Sequence, residues 1–167
     1  MLIGLTLGST WTLIAVLLIY EIFFANDPEP GAAKPTQAVP GEWCRIWYDA
    51  AHSDIQWAKG RGWAALQSLV VLQGAFVAVK HAQWVVNLDA LVILAAVAAI
   101  VASVYLVDLH RFARNSRVIA DRILDDVQGY QYYLGKPRAR DRHHVFYLLV
   151  KLLIVGAATT LTVLTIG

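Results

Sequence analysis

Residues 85–107 are apolar almost without interruption, with Asp89 the sole charge among them. A helix needs about 20 apolar residues to cross the hydrocarbon of a bilayer, so a run of this kind matches a transmembrane helix. Three further runs follow the same rule: residues 2–25, broken only by Glu21; residues 63–79; and residues 145–166, which carry Lys151. Hydrophobic residues make up 58% of the chain and charged residues 16%, against roughly 45–50% and about 25% in soluble domains. Four such runs in 167 residues leave too little polar surface to cover them as a soluble bundle. The expected fold is all-α: a polytopic membrane protein with four transmembrane helices and a long cytoplasmic helical hairpin extending two of them.

The run at 63–79 is the shortest, and Gln67 and Gln73 weaken it. Its flanks compensate, because Trp63 and Trp84 suit interfacial belts and Lys80 can snorkel. The first run has no Lys or Arg before it and exceeds the short apolar core of a secretory signal. It therefore reads as a retained transmembrane helix.

These features divide the chain into five parts. Residues 1–25 form the first transmembrane helix. Residues 26–41 hold Pro28, Pro30, Pro35 and Pro40 and read as an extended linker. Residues 42–135 form a membrane-spanning pair (63–79 and 85–107) with cytoplasmic extensions. Residues 136–144 are a basic loop, and residues 145–167 the last transmembrane helix. Before the second run, Trp43, Ile46, Trp47, Ala50, Ala51 and Ile55 recur at helical spacing. Gly60 and Gly62 are the places where that helix is expected to bend. No Pro or Gly occurs from Val85 until Gly129, which predicts one helix of about 45–50 residues, on the order of 70 Å. Its amphipathic second half places Phe112, Ser116, Ile119, Ile123 and Val127 on one stripe. Trp43, Trp47 and Ile55 are expected to meet Ile119, Ile123 and Val127, since neither stripe sits in water without cost.

Charge sets the orientation. Residues 108–144 hold eight Lys/Arg: Arg111, Arg114, Arg117, Arg122, Lys136, Arg138, Arg140 and Arg142. Arg45, Lys34, Lys59 and Arg61 precede the second run, whereas the connector between runs two and three has only Lys80. Positive loops stay inside. Both large loops are thus expected in the cytoplasm of a bacterium, with both termini and the Lys80 turn outside the inner membrane.

The chemistry on offer is sparse. Cys44 is the single cysteine, which excludes an intrachain disulfide, a redox pair and a cysteine zinc site. No catalytic motif stands out, and no enzyme activity is expected. His110, His143 and His144, with Asp108, are the candidate metal ligands, since imidazole and carboxylate suit zinc or iron. Their spacing matches no recognised ligand motif, and no histidine lies inside a span where haem would want it. The plainer reading is interfacial polar residues, and no cofactor is expected. Glu21 and Lys151 are the intramembrane ionisable residues and are placed to pair with each other; snorkelling toward the interface is the plainer reading. Arg111, Arg114, Arg117, Arg138, Arg140 and Arg142 are expected to contact anionic lipid headgroups, at about 1 kcal/mol each. Nucleic acid is not the expected partner. Ala95/Ala99 and Ala98/Ala102 form small-xxx-small pairs that allow close helix approach, within one chain or between subunits.

Two functions fit this architecture. The first is non-enzymatic: a homo-oligomeric scaffold or effector, or a subunit of a membrane complex, whose cytoplasmic hairpin senses or docks a partner. The alternative is a redox or transport subunit with a metal or haem at the cytoplasmic interface. The stretch 109–119, Leu-His-Arg-Phe-Ala-Arg-Asn-Ser-Arg-Val-Ile, follows the central pair of runs. With the order linker, pre-helix, pair and long helix over residues 43–129, it resembles small bacterial membrane proteins of the SLATT and RipA types. That resemblance implies an oligomeric membrane effector in bacterial conflict systems. The chain departs from it by adding runs at both ends, and no functional residue carries over.

Overall fold

The computed structural model describes residues 2–21, 41–82, 87–126 and 142–166, all helical apart from short ends. Four helices make up these residues: α1 (Leu2–Ile19), α2 (Gly41–His81), α3 (Leu88–Asp126) and α4 (Arg142–Ile166). By length and composition α2, α3 and α4 are long and apolar enough to cross a membrane. The apolar α1 is shorter, with 18 residues, or about 27 Å at the helical rise. It continues through Tyr20 and Glu21 as a widened π turn.

Side-chain contacts fix how the helices run. Trp57 meets Phe112 edge-on at 5.8 Å, and the Gln73 amide donates to the Ala95 carbonyl at 3.1 Å. Numbers rise along α2 as they fall along α3, so the two are antiparallel. Lys151 lies against Gly62, Gln73 reaches Thr159 and Lys80 donates to the Thr165 carbonyl, so α4 runs parallel to α2. Glu21 pairs with Arg111, while Ile3 and Leu7 pack among Leu91, Val92 and Ala95. Hence α1 runs parallel to α3. The result is an up-down-up-down bundle with α1 packed on α3 and α4. One end holds the start of α1, the close of α2, the start of α3 and the close of α4. The other, the charged end, holds Glu21, Arg111 and the start of α4.

The interior is apolar with several polar side chains set into it, and the exterior is apolar as well. Ile14, Ala95, Ala99, Leu152, Val155 and Val163 are buried, with Ser103, Thr10, Thr159 and Gln73 beside them. Leu5, Val71, Val101 and Leu161 point outward. Water would disfavour so apolar an exterior; lipid permits it, because chains of hydrocarbon solvate Leu as well as a core does. The buried hydroxyls are satisfied within their own helices: Thr159 on Val155 and Ser103 on Ala99, both at 2.8 Å. The Ala95/Ala99 pair packs inside the chain, and Ala98 and Ala102 sit half-buried against the same core.

Three local features refine these expectations. First, α2 is one continuous helix from Gly41 to His81, passing through Gly60 and Gly62. Gly62 lies against another helix: a Cβ there would stand 2.5 Å from the Lys151 amine and 3.6 Å from Leu106. Second, α3 begins later than the apolar run, where the Asn87 side chain accepts from the Asp89 amide at 3.0 Å and caps the helix. It is described for 39 residues. Third, contact between the outer halves of α2 and α3 is carried by Ala51, Ile55 and Ala58 on α2, with Ser116 and Ala120 buried on α3. Ile55 is buried as expected, but Trp43, Trp47 and Ile119 are each about half exposed. Small residues let the two backbones approach, which turns the large ones outward. Val127 lies outside the described residues.

Gly156 shows how tightly α1 docks. A Cβ built there would stand 2.6 Å from Cη2 of Trp11, whose indole donates to Thr160 at 3.1 Å. Gly156→Val should therefore destabilise the bundle by about 1–3 kcal/mol through overpacking. Gly74→Ala, where nothing lies within 4 Å, should be neutral or slightly stabilising, given the helix propensity of Ala. Unfolding in mixed micelles at rising SDS fraction checks both, and equal midpoints for the two variants would contradict the packing described.

Candidate functional site

The charged end of the bundle gathers most of the candidate residues. Glu21 sits at the last turn of α1 with its side chain 1% exposed. A buried carboxylate is costly unless it is paired and hydrogen-bonded. Arg111 supplies the partner: its Nε donates to Oε1 of Glu21 at 2.5 Å. The guanidinium also lies over the Tyr20 ring, 5.1 Å from its centre. Arg111 keeps 44% of its side chain exposed, so one edge of the fork faces Glu21 and the rest faces outward.

Pairing of Glu21 with Lys151, the arrangement the sequence suggested, is not what forms. The Lys151 amine lies 5.3 Å from the centre of the Trp63 ring and against Gly62. A ring face attracts a cation, and the missing side chain at Gly62 gives the amine room to reach it. Lys151 thus belongs to the α2–α4 contact, and Glu21 to the α1–α3 contact.

Asp108 and His110 bracket this cluster. Asp108 is exposed and His110 is half-buried. Together with Leu17, Val101, Val104, Tyr105 and Arg111, Asp108 lines an open, mostly apolar groove of about 460 Å³ between α1 and α3. His143 and His144 open α4, but their side chains lie outside the described residues, as does that of Arg142. Arg138 and Arg140 lie outside them entirely. Among the described residues, no group of three or more His, Cys, Asp or Glu side chains is placed to hold a metal. Arg114 and Arg117 continue along α3, both half-buried.

A second polar site lies in mid-bundle, and the sequence reading passed over it except as a weakness in the second run. Gln73 is 2% exposed. Its amide nitrogen donates to Ala95 at 3.1 Å and reaches Thr159 at 3.5 Å, linking three helices. Its Oε1 has no partner among the described residues. A glutamine inside an otherwise apolar run was the available signal, because a polar group in hydrocarbon must find a partner. No family model, curated protein or solved structure matches the chain.

The ion pair generates a graded expectation. Arg111→Met leaves the Glu21 carboxylate buried without its donor and should cost about 1–3 kcal/mol, the usual penalty for an orphaned buried group. Glu21→Gln keeps the shape and removes the charge, so it should cost less. The double variant should recover part of the loss, a coupling of at least about 0.5 kcal/mol. A double-mutant cycle on SDS unfolding measures this, and strict additivity would show that the pair does not couple α1 to α3.

Proposed function

We propose that the chain is a non-enzymatic, homo-oligomeric membrane scaffold or effector of the bacterial inner membrane. Its four helices span the bilayer, and the outer halves of α2 and α3 form a cytoplasmic docking hairpin. The observation that carries this reading is helix length. α2 has 41 residues and α3 has 39, or about 60 Å each at the helical rise, against a hydrocarbon core of about 30 Å. The excess lies at the charged end. About 30 Å of α2 precedes Gly62, and Trp63, Lys151 and Arg111 make a natural interface at that level.

The surface of this extension supports a recognition role. Trp43, Ile46 and Trp47 are exposed beside an equally exposed Arg45–Asp49 pair. An exposed ion pair one helical turn long marks an aqueous surface, and half-exposed tryptophans on such a surface suit a protein partner. Arg45, Lys59, Arg61, Arg114 and Arg117 place positive charge at this end, in keeping with a cytoplasmic location and anionic headgroups.

Two measurements test the reading. In a Cys44→Ser background, Gln83→Cys should react with an impermeant thiol reagent in intact cells, and Ala139→Cys should not. The reverse pattern would place the hairpin outside and end the docking proposal. The mass of the detergent-solubilised protein, corrected for bound detergent, should be a multiple of 18.4 kDa. A strict monomer in both detergent and native-lipid nanodiscs would end the oligomeric part.

A further inference from the structure

The Lys151 side chain is lodged against α2. Its amine lies at Gly62, where a Cβ would stand 2.5 Å from Nζ, and beside the Trp63 ring, 5.3 Å from its centre. The residue is half-buried, so part of it stays at the surface of the α2–α4 contact. Lys59 joins it from α2. It stands one turn before Gly62 and Trp63, on the same face of the helix. It is exposed and within electrostatic reach of the Lys151 amine. Among the described residues neither lysine has an ion-pair or hydrogen-bond partner. Two ammonium groups are thus brought together from two helices with no acid between them. Each carries three donors, and a ring face attracts a cation without supplying an oxygen to those donors.

The depth of the pair identifies what balances it. Trp63 marks the interfacial level, where aromatic residues gather. The anions found at that depth are the phosphates of lipid headgroups, which basic residues between helices recognise. Toward mid-membrane the same face of α2 exposes Val70, and Ile154 of α4 follows Lys151 by one turn, partly buried. Acyl chains therefore find apolar surface directly beneath the two lysines. A free phosphate would meet the same lysines and gain nothing from that surface. A zwitterionic headgroup would bring a third cation to a site that already holds two.

We propose that Lys59 and Lys151 hold the phosphate of one anionic phospholipid at the α2–α4 contact, with Gly62 making room for the Lys151 side chain and the Trp63 ring backing its amine. This rests on the membrane placement proposed above, and on neither the docking nor the oligomeric part of that reading. The site is distinct from the general basic character of this end. Arg61 has the same charge at nearly the same depth, but its guanidinium lies over the Trp57 ring, 5.6 Å from its centre. It sits about 200° round the helix from Lys59.

Lipid binding to the purified full chain tests the site. Delipidated protein in a neutral detergent should bind one phosphatidylglycerol in preference to phosphatidylcholine of the same chain length, as read by native mass spectrometry. Lys59→Gln should weaken that binding about five-fold, the scale of one lysine at a membrane surface, and Lys151→Gln by at least as much. Arg61→Gln removes the same charge and should leave the binding nearly unchanged. Lys59 is exposed, so its variant should keep the helicity and SDS-unfolding midpoint of the parent, and its loss is then a loss of binding. Equal losses in Lys59→Gln and Arg61→Gln would replace the site with diffuse attraction and overturn it. Phosphatidylcholine bound as tightly as phosphatidylglycerol would overturn the anionic headgroup. Inorganic phosphate should not displace the lipid; complete displacement would assign the lysines to a soluble phosphate instead. Retention of the chain in carbonate-washed membranes tests the placement separately, so an embedded protein with no lysine-dependent lipid overturns this site alone.

Discussion

A bundle of this composition lacks the force that assembles soluble helices. Where lipid surrounds every helix, burying a leucine between two of them gains little, because the hydrocarbon outside is as apolar as the hydrocarbon inside. Association then depends on close backbone approach and on polar groups that have no better partner. Both devices appear in the structure. Gly156 lets the Trp11 ring settle on the backbone of α4, and Ala95 and Ala99 do the same for α3. Glu21–Arg111 ties α1 to α3, Gln73 ties α2 to α3 and α4, and Lys80 closes the end of α4 on the Thr165 carbonyl.

The same devices hold α1. It is the shortest of the helices and packs on α3 and α4. Its interior face presents Thr10 and Ile14 to the core, and its links include the indole hydrogen bond of Trp11 and the carboxylate of Glu21. One lies in the middle of the helix and the other at its charged end. The helix is held against rotation as well as against separation, since a turn about its axis would lose both links together.

How much of this was legible in the sequence follows from what kind of information each feature needs. The apolar runs and the unbroken stretch after Val85 depend on local composition, and the helices appear where composition puts them. Pairing depends on which helices become neighbours. Glu21 and Lys151 sit near the same end of the bundle, but α1 lies beside α3 with Arg111 pointing at it, and Trp63 offers Lys151 an alternative. Glycine is ambiguous in the same way. Gly62 reads as a bend from sequence because Gly weakens a helix, whereas in the bundle its missing Cβ admits the Lys151 side chain. The cap at Asn87 was readable in principle, as an Asn two residues before an Asp at the head of an apolar run. The apolar positions preceding it drew the boundary too early. The candidate metal ligands divide differently: Asp108 and His110 have described positions, and the side chains of His143 and His144 lie outside the described residues.

Helix continuity bears on how α2 and α4 are held together. α2 and α3 are each a single helix, over Gly41–His81 and Leu88–Asp126. Gly62 and Gln73 belong to the same continuous helix as Trp43 and Trp47. The first two are positions where α2 meets α4. The orphaned Oε1 of Gln73 lies at that contact, buried between three helices. A polar group with one unmet bond is costly in a low-dielectric interior, which makes this the least satisfied contact described between α2, α3 and α4.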